Sequence, residues 1–239
     1  MMVLLLVFFM SQLFALTPDE ILQKVDDNMV FTSARYNGKM TIHIGTETRT
    51  KTYKTWAKGK DKAFIIFTNS EDKGVRYLKR EGSLWIYFPE AEEIMKISGH
   101  MLRESMMGSD LSYEDALENQ KLKERYSISQ EEDDEINGKN CYVLDLKAKT
   151  SNLTYYRRKI WIDKSRFVAL REERYSRSGK LLRIMTIDEI KTVGKRNYPI
   201  KMTVQNVLRK NTYTEFGIYQ YEFDVAIDES VFSRQSLKP

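Results

Sequence analysis

The chain is organised around the stretch His100-Met-Leu-Arg-Glu-Ser-Met-Met107 and the adjoining Gly108-Ser-Asp-Leu-Ser-Tyr-Glu-Asp115. These residues interrupt a sequence that otherwise has the pattern of successive β-strands, and we expect them to be helical. Three methionines so close together are typical of an adaptable apolar surface. Ser112 and Asp115 have the spacing of a capping box, which predicts a helix running to about Asn119. The stretch is therefore predicted to form a helical flap over a sheet.

Another helix is predicted near the amino terminus. Thr17 can cap it, Pro18 suits its first position, and Glu20 can complete a capping box. Apolar residues then recur at helical spacing as far as about Phe31, namely Ile21, Leu22, Val25, Met29 and Val30. This pattern predicts an amphipathic helix that precedes the first strand.

The rest of the sequence alternates with a period of two residues, as strands do. Apolar clusters are separated by turn signals such as Asn137-Gly138 and Ser178-Gly179, which predicts an antiparallel meander. The cleanest alternation is that of Ile200, Met202 and Val204. Other strands are apolar on both faces, so both faces must be covered. We predict a barrel or strongly curved sheet of roughly eleven strands.

The amino terminus has the pattern of a secretory signal. The apolar run Met1–Met10 is too short to cross a bilayer, and Leu13-Phe-Ala15 offers small residues suited to cleavage. We predict a signal peptide at residues 1–15 and a single domain at residues 16–239, exported to the periplasm. A retained membrane anchor is the alternative interpretation of the same run.

Charge and cysteine content narrow the class of partner. The formal net charge is +5 at pH 7, which in an exported protein fits an anionic membrane surface, a lipid headgroup or an acidic protein. Nucleic acid is not an expected partner. The single cysteine, Cys141, excludes an intramolecular disulfide and is expected to be buried.

We find no enzyme signature in the sequence. There is no zinc-binding spacing, phosphate-binding glycine loop or nucleophile elbow, so we expect neither an enzyme nor a cofactor or metal. His100 and the three methionines of the flap could bind a soft metal such as Cu(I), but apolar contact is the stronger interpretation. The acidic run Glu131–Glu135 lacks the ligand spacing and turn glycine of a calcium loop, and is predicted to be a solvated loop.

Several motifs follow one another in a recognisable order. They include Gly82-Ser-Leu-Trp-Ile-Tyr-Phe-Pro89, Met107–Asp115, Ile160-Trp-Ile-Asp163, Tyr198-Pro199 and the closing segment Ile227–Leu237. Each is weak alone, but the succession covers nearly all of the predicted mature chain. In this succession the chain resembles the periplasmic outer-membrane lipoprotein-sorting (LolA/LolB-like) family.

The resemblance implies a fold class that is mainly β with a few helices (α+β). The expected fold is an incomplete, strongly curved antiparallel barrel whose concave side is closed by a helical lid and lined by apolar residues that take up acyl chains. Implied partners are the acyl chains of a lipoprotein or lipid, an inner-membrane exporter and an outer-membrane acceptor, with the protein a monomer. No arginine aligns with the one that ties the lid shut in the carrier branch, so the nature of the cargo stays open.

We expect the following residues to line the cavity and lid: Trp56, Phe64, Ile66, Trp85, Tyr87, Met95, Ile97, Met101, Met106, Met107 and Leu111. Strand parity leaves an alternative, in which Leu84 and Ile86 face the cavity in place of Trp85 and Tyr87. The strand residues could equally be core between sheet and helix. The leading hypothesis is a periplasmic carrier of acyl chains, and the alternative is an envelope-stress sensor or regulatory binding module of the same fold.

Overall fold

The computed structural model describes residues 15–29, 31–118 and 122–239. In this part of the chain, three α-helices and several 3-10 turns accompany one antiparallel sheet of fourteen strands. The sheet is curved and does not close. The predicted fold class is confirmed. The predicted signal peptide lies, apart from Ala15, outside the described residues and stays a prediction.

The first half of the sheet follows the first helix, α1 (Pro18–Met29). Its strands are β1 (Ser33–Ile44), β2 (Glu47–Lys58), β3 (Lys62–Phe67), β4 (Arg76–Arg80), β5 (Ser83–Phe88) and β6 (Glu93–Ile97). A helical interruption comes next. It consists of the 3-10 turns Gly99–Arg103 and Met106–Gly108 and the helix α2 (Tyr113–Leu117). We call residues 99–117 the lid.

The second half begins with the short helix α3 (Leu122–Arg125). Its strands are β7 (Tyr126–Gln130), β8 (Asp134–Ile136), β9 (Lys139–Ala148), β10 (Arg157–Asp163), β11 (Ala169–Tyr175), β12 (Leu181–Val193), β13 (Arg196–Asn206) and β14 (Thr212–Phe223). Two 3-10 turns follow, Glu229–Phe232 and Gln235–Leu237, which we call the carboxy-terminal cover.

The strand order explains the incomplete barrel. Strands follow β6-β5-β4-β3-β2-β1-β14-β13-β12-β11-β10-β9-β7, with β8 added beside β9. The first and last long strands pair with each other, so that Met40 of β1 lies opposite Phe216 of β14. Strands β6 and β7 end the path at opposite edges. The two halves of the chain therefore meet at the centre of one continuous curved wall.

The predicted helix starts are confirmed, with their caps. Glu20 Oε2 accepts from the backbone amide of Thr17 at 2.8 Å, and the Glu20 amide donates to Thr17 Oγ1 at 3.3 Å. In the lid, Ser112 and Asp115 form the same reciprocal capping box. Such boxes satisfy amides that the first turn of a helix would otherwise leave unpaired.

Three local predictions are corrected. The flap is not a continuous helix, because Glu104 and Ser105 are extended between its two 3-10 turns, and Met107 and Gly108 adopt left-handed backbone angles (φ 54° and 79°) within the second turn. The sequence pattern predicts a strand over Leu122–Gln130, but the strand starts only at Tyr126, after α3. Part of the acidic run is β8 rather than loop, because the turn at Asn137-Gly138, with φ of 50° and 75°, folds it back on β9.

Both faces of the sheet carry a core, as the two-sided apolar strands predicted. On the concave face one cluster lies under the lid and a second lies under α1, where Ile21 and Leu22 are buried. On the convex face, one cluster lies under the carboxy-terminal cover and another around the buried Cys141. No helix in the described ranges combines the length and apolar character that crossing a bilayer requires.

Candidate functional site

An apolar cavity of about 380 Å³ lies between α1 and the concave face of the sheet. It is central in the sheet, where the two halves of the chain meet. Helix α1 contributes Val25 and Met29 to its wall. The apolar side chains that the sheet contributes include Met185, Ile187, Ile200, Met202, Phe216 and Ile218. A pocket with this lining is suited to hydrocarbon.

Strand register explains why these side chains share a face. Phe216 of β14 lies opposite both Met40 of β1 and Met202 of β13, and Met202 lies opposite Ile187 of β12. Residues directly opposite each other in antiparallel strands project to the same side of the sheet. The cavity wall therefore runs across β12, β13 and β14, which follow one another in sequence, and reaches β1, which is distant from them in sequence.

Gly38 makes room for one aromatic side chain of the wall. It lies directly opposite Tyr53 in the β1–β2 ladder, and the Tyr53 ring packs across the Gly38 backbone. A Cβ at position 38 would lie 2.1 Å from the Tyr53 ring. Only glycine therefore lets Tyr53 lie flat against the sheet and line the cavity.

Helix α1 is fastened over the cavity by Asn28. Its Nδ2 donates to the backbone oxygens of Arg166 and Phe167 at 2.8 and 2.9 Å. Its Oδ1 accepts from the amide of Asn197 at 2.8 Å. One side chain thus joins the end of the helix to the β10–β11 turn and to the start of β13.

The lid covers the concave face beside the cavity. Its side chains Met101, Leu102, Met106 and Met107 are half-buried and pack on the same cluster as Leu111. That cluster also includes four residues of the cavity wall: Tyr53, Met185, Met202 and Phe216. Lid and cavity are therefore in contact through shared walls, so movement of the lid would change the cavity.

Asp110 fixes the middle of the lid to the sheet. Its side chain is fully buried, and its carboxylate accepts from Thr212 Oγ1 at 2.9 Å and Thr214 Oγ1 at 2.7 Å. The Asn206 amide donates to the same carboxylate at 3.2 Å. A buried carboxylate needs such donors, because it has lost its hydration.

The carboxyl side of the lid is held by buried ion pairs. Asp115 of α2 accepts from Arg174 Nη1 at 2.7 Å and also pairs with Arg183. Glu118, just after α2, accepts from Arg158 Nη1 at 2.5 Å. All three arginines are at most 7% exposed. We call this set of buried ion pairs, together with Glu172, the arginine network.

The arginine network also lowers the pKa of two carboxyl groups near the lid, those of Glu172 and Glu118. Burial alone would raise the pKa of Glu172, but the charges of Arg158 and Arg174 and their hydrogen bonds lower it to about 2. The pKa of Glu118 is lowered by the same arginines against the effect of burial. Both carboxylates are therefore charged at neutral pH: Glu118 ties the end of the lid to Arg158, and Glu172 pairs with Arg158 and Arg174 in the sheet.

Sequence reasoning missed the arginine network. Its arginines lie opposite one another on successive strands, Arg158 beside Arg174 and Arg174 beside Arg183. The available signal was a charged residue at an inward-facing position of each strand. To recognise that these arginines are neighbours, one must know the strand register, which cannot be derived from the sequence pattern.

The structure divides the residues that the sequence proposed for the site. One group lies on the concave face, in the apolar cluster under the lid: Ile97, Met101, Met106, Met107 and Leu111. Met95 lies on edge strand β6 opposite Ile86 and is 37% exposed. His100 is exposed, whereas the lid methionines beside it are half-buried.

A second group lies on the convex face, under the carboxy-terminal cover: Trp56, Phe64, Ile66, Trp85 and Tyr87. There Phe232 and Leu237 are 1% and 0% exposed and pack on Phe64 and Tyr87. Leu84 and Ile86, the alternative pair, are buried in the concave cluster. The structure therefore brings this second group to the outer core and not to the cavity.

Solved structures share this architecture. A DUF1329 family protein from Desulfovibrio piger has a TM-score of 0.83 at 23% identity, over 91% of this chain and 96% of that chain. A putative outer membrane lipoprotein-sorting protein domain from Vibrio parahaemolyticus has a TM-score of 0.79 at 21% identity, over 93% and 100%. A LolA superfamily protein from Nitrosomonas europaea has a TM-score of 0.76 at 18% identity, over 93% and 100%.

These likenesses show the fold: the chain has a LolA-like fold, as its motifs predicted. A family model described as "Uncharacterized protein" matches residues 59–239, and the chain belongs to that family. No curated protein matches the chain.

Proposed function

We propose that this protein is a periplasmic carrier that encloses acyl chains in its central cavity. The observation that carries the proposal is the apolar cavity of about 380 Å³ between α1 and the concave sheet. A pocket with this lining binds hydrocarbon through the removal of apolar surface from water. The similarity in fold to lipoprotein-sorting proteins supports the same role.

The size of the cavity sets the amount of hydrocarbon that it can hold in this closed state. If a methylene occupies about the volume of a liquid water molecule, ~30 Å³, the cavity accommodates roughly a dozen methylenes. Each buried methylene contributes about 0.8 kcal/mol, so one chain contributes on the order of 10 kcal/mol. That is enough to hold a single chain against water.

Uptake and release of an acyl chain require the lid to move. The lid shares four wall residues with the cavity, and the arginine network holds it to β10, β11 and β12. A charged partner protein can replace the ion pairs of the lid with ion pairs of its own, whereas a purely apolar contact offers no charged group for a partner to bind. A donor or acceptor that prefers one lid position would then set the direction of transfer.

The cellular route is part of the proposal. We place the protein in the periplasm after removal of residues 1–15, receiving cargo from an inner-membrane exporter and delivering it to an outer-membrane acceptor. The cargo is an acylated lipid or lipoprotein. The apolar sequence of Met1–Met10 and the lipoprotein-sorting fold support this assignment.

Uptake of a fluorescent fatty acid by the purified chain tests the proposal. We expect saturable binding that Ile218→Trp abolishes, because the larger side chain fills the cavity that Ile218 lines. Leu208→Trp is the matched control, since Leu208 is 52% exposed and lies outside the cavity. Absence of saturable uptake by the wild type, or equal uptake by Ile218→Trp, would contradict the proposal.

A further inference from the structure

The apolar cavity contains three tyrosines, Tyr36, Tyr53 and Tyr198. In the described part of the chain, the hydroxyls of Tyr53 and Tyr198 have no hydrogen-bond partner. The Tyr36 hydroxyl faces Thr55, a residue only 2% exposed whose own hydroxyl has no partner within 3.5 Å. Polar groups beside an apolar cavity are costly unless something satisfies them.

The three tyrosine side chains line the same cavity. Burial raises the pKa of Tyr53 and Tyr198, and an ionised Tyr36 would raise both further. Burial also raises the pKa of Tyr36. All three phenols therefore keep their protons at neutral pH and can each donate a hydrogen bond.

The sheet holds these rings in fixed positions. Tyr36 and Thr55 are directly opposite in the β1–β2 ladder, and the next inward-facing pair is Gly38 and Tyr53. Tyr198 is packed between aromatic rings, with centroids 6.0 Å from Phe31 and 4.9 Å from Phe223. Preorganised donors of this kind lose little entropy when a ligand arrives.

The charges around the cavity indicate whether the hydrogen-bond acceptor of the ligand should be charged or neutral. Glu172 lines the cavity, but its carboxylate is neutralised by Arg158 and Arg174. Among the described residues of the lining, the only lysine is Lys201, which pairs with Glu215 at 3.0 Å. A ligand carboxylate would enter without a free cation and would lose its hydration. An uncharged carbonyl needs only the donors.

We propose that Tyr36, Tyr53 and Tyr198 form a subsite for the uncharged carbonyl of an ester or amide that carries the bound acyl chain. The ligand class is thus an esterified or amidated acyl chain, which should bind in preference to a free fatty acid. This inference rests on the proposed carrier function and adds the part of the ligand that the cavity recognises besides hydrocarbon.

Displacement of the apolar fluorescent probe N-phenyl-1-naphthylamine from the full chain tests the subsite with three matched ligands. These are methyl dodecanoate, dodecanoate and pentadecane, which are of similar length but differ in their acceptor. We expect methyl dodecanoate to bind about 10-fold more tightly than pentadecane, which corresponds to about one net hydrogen bond. Dodecanoate should bind more weakly than its methyl ester.

The variant Tyr36→Phe, Tyr53→Phe, Tyr198→Phe removes three oxygens and keeps the rings. It should lose the preference for the ester while binding pentadecane as the wild type does, and that unchanged binding also shows that the variant folds. Tyr213→Phe is the control, because Tyr213 is 42% exposed and stacks on His43 instead.

Three results would overturn the subsite: equal binding of ester and alkane by the wild type, an unchanged ester preference in the triple variant, or tighter binding of dodecanoate than of its ester. Displacement by none of the three ligands would instead refute the carrier function, and the subsite with it. The two failures are thus distinguishable.

Discussion

Arg174 Nη1 donates to Asp115 Oδ1 at 2.7 Å, and the two side chains are 5% and 2% exposed. This contact joins strand β11 to the lid helix α2. Asp115 also accepts from the Tyr155 hydroxyl at 2.9 Å and pairs with Arg183. One carboxylate therefore connects the lid to two strands of the concave wall, and opening the lid must break these contacts together.

Substitution of Asp115 should loosen the lid and destabilise the fold. Asp115→Asn leaves Arg183 buried without its ion-pair partner and removes one of the carboxylates that pair with Arg174, and breaking a buried pair in this way costs about 3 to 5 kcal/mol. Urea denaturation should show that loss, and hydrogen exchange should rise in residues 99–117. The control is Glu47→Gln, whose pair with Arg49 is exposed, and it should change stability by less than about 0.5 kcal/mol. Similar losses in both variants would contradict this role.

Glu172 should make stability depend on pH. Its pKa falls from the ordinary value of 4.5 to about 2, since Arg158 and Arg174 outweigh the effect of burial. A depressed folded-state pKa stabilises the protein above the unfolded pKa, and the contribution, about 3 kcal/mol, is lost as the pH falls toward the folded pKa.

We therefore expect the advantage of the wild type over Glu172→Gln in free energy of unfolding to shrink as the pH falls from about 5 to about 2. Denaturant titrations at several pH values measure it. The exposed Glu132, replaced in Glu132→Gln, is the control and should leave the pH profile unchanged. A constant difference between wild type and Glu172→Gln across this range would show that the ion pairs do not hold Glu172 charged.

Gly38 should be irreplaceable for reasons of space. In Gly38→Ala the new Cβ would lie 2.1 Å from the Tyr53 ring, so the ring must leave its place in the cavity wall. We expect a loss of stability of about 1 to 3 kcal/mol, as for other overpacked sites, and weaker fatty-acid uptake. Gly217→Ala is the control, because its nearest neighbour is a backbone oxygen at 3.9 Å. If both variants take up ligand equally, Gly38 does not position Tyr53.

The apolar core on the convex face should contribute to the stability of the fold but not to ligand binding. Phe232→Ala in the carboxy-terminal cover removes a side chain that is 1% exposed, and such truncations cost about 3 to 5 kcal/mol. We expect thermal unfolding at lower temperature but unchanged affinity for fatty acid in the folded protein. A marked loss of affinity would indicate that the face carrying Trp85 and Tyr87 takes part in binding after all.

Local features of the fold could be predicted from the sequence. The cap at Thr17 and Glu20 and the box at Ser112 and Asp115 depend on residues three apart, so their geometry follows from helix periodicity. The alternation of Ile200, Met202 and Val204 likewise indicated one apolar face, and two of these residues line the cavity. Predictions of this kind need no knowledge of distant neighbours.

The cavity itself could not be predicted, for two physical reasons. Leu84 and Trp85 are both apolar, so the sequence pattern does not say which of them faces inward. Only the structure shows that Trp85 packs, half-buried, with the carboxy-terminal cover on the convex side. The wall also joins Tyr53 to Phe216 and Met185, which become neighbours because β1 pairs with β14. The two strands lie near opposite ends of the described chain, and sequence periodicity gives no information about pairing over such a separation.

The most direct measurement is mass spectrometry of lipid that co-purifies with the full chain under native conditions. Wild type and Leu208→Trp should carry acylated lipid in near-stoichiometric amount, whereas Ile218→Trp, with its cavity filled, should carry little or none. Lipid-free wild-type protein, or the same lipid content in Ile218→Trp, would contradict the assignment of the cavity between α1 and the concave sheet as an acyl-chain site.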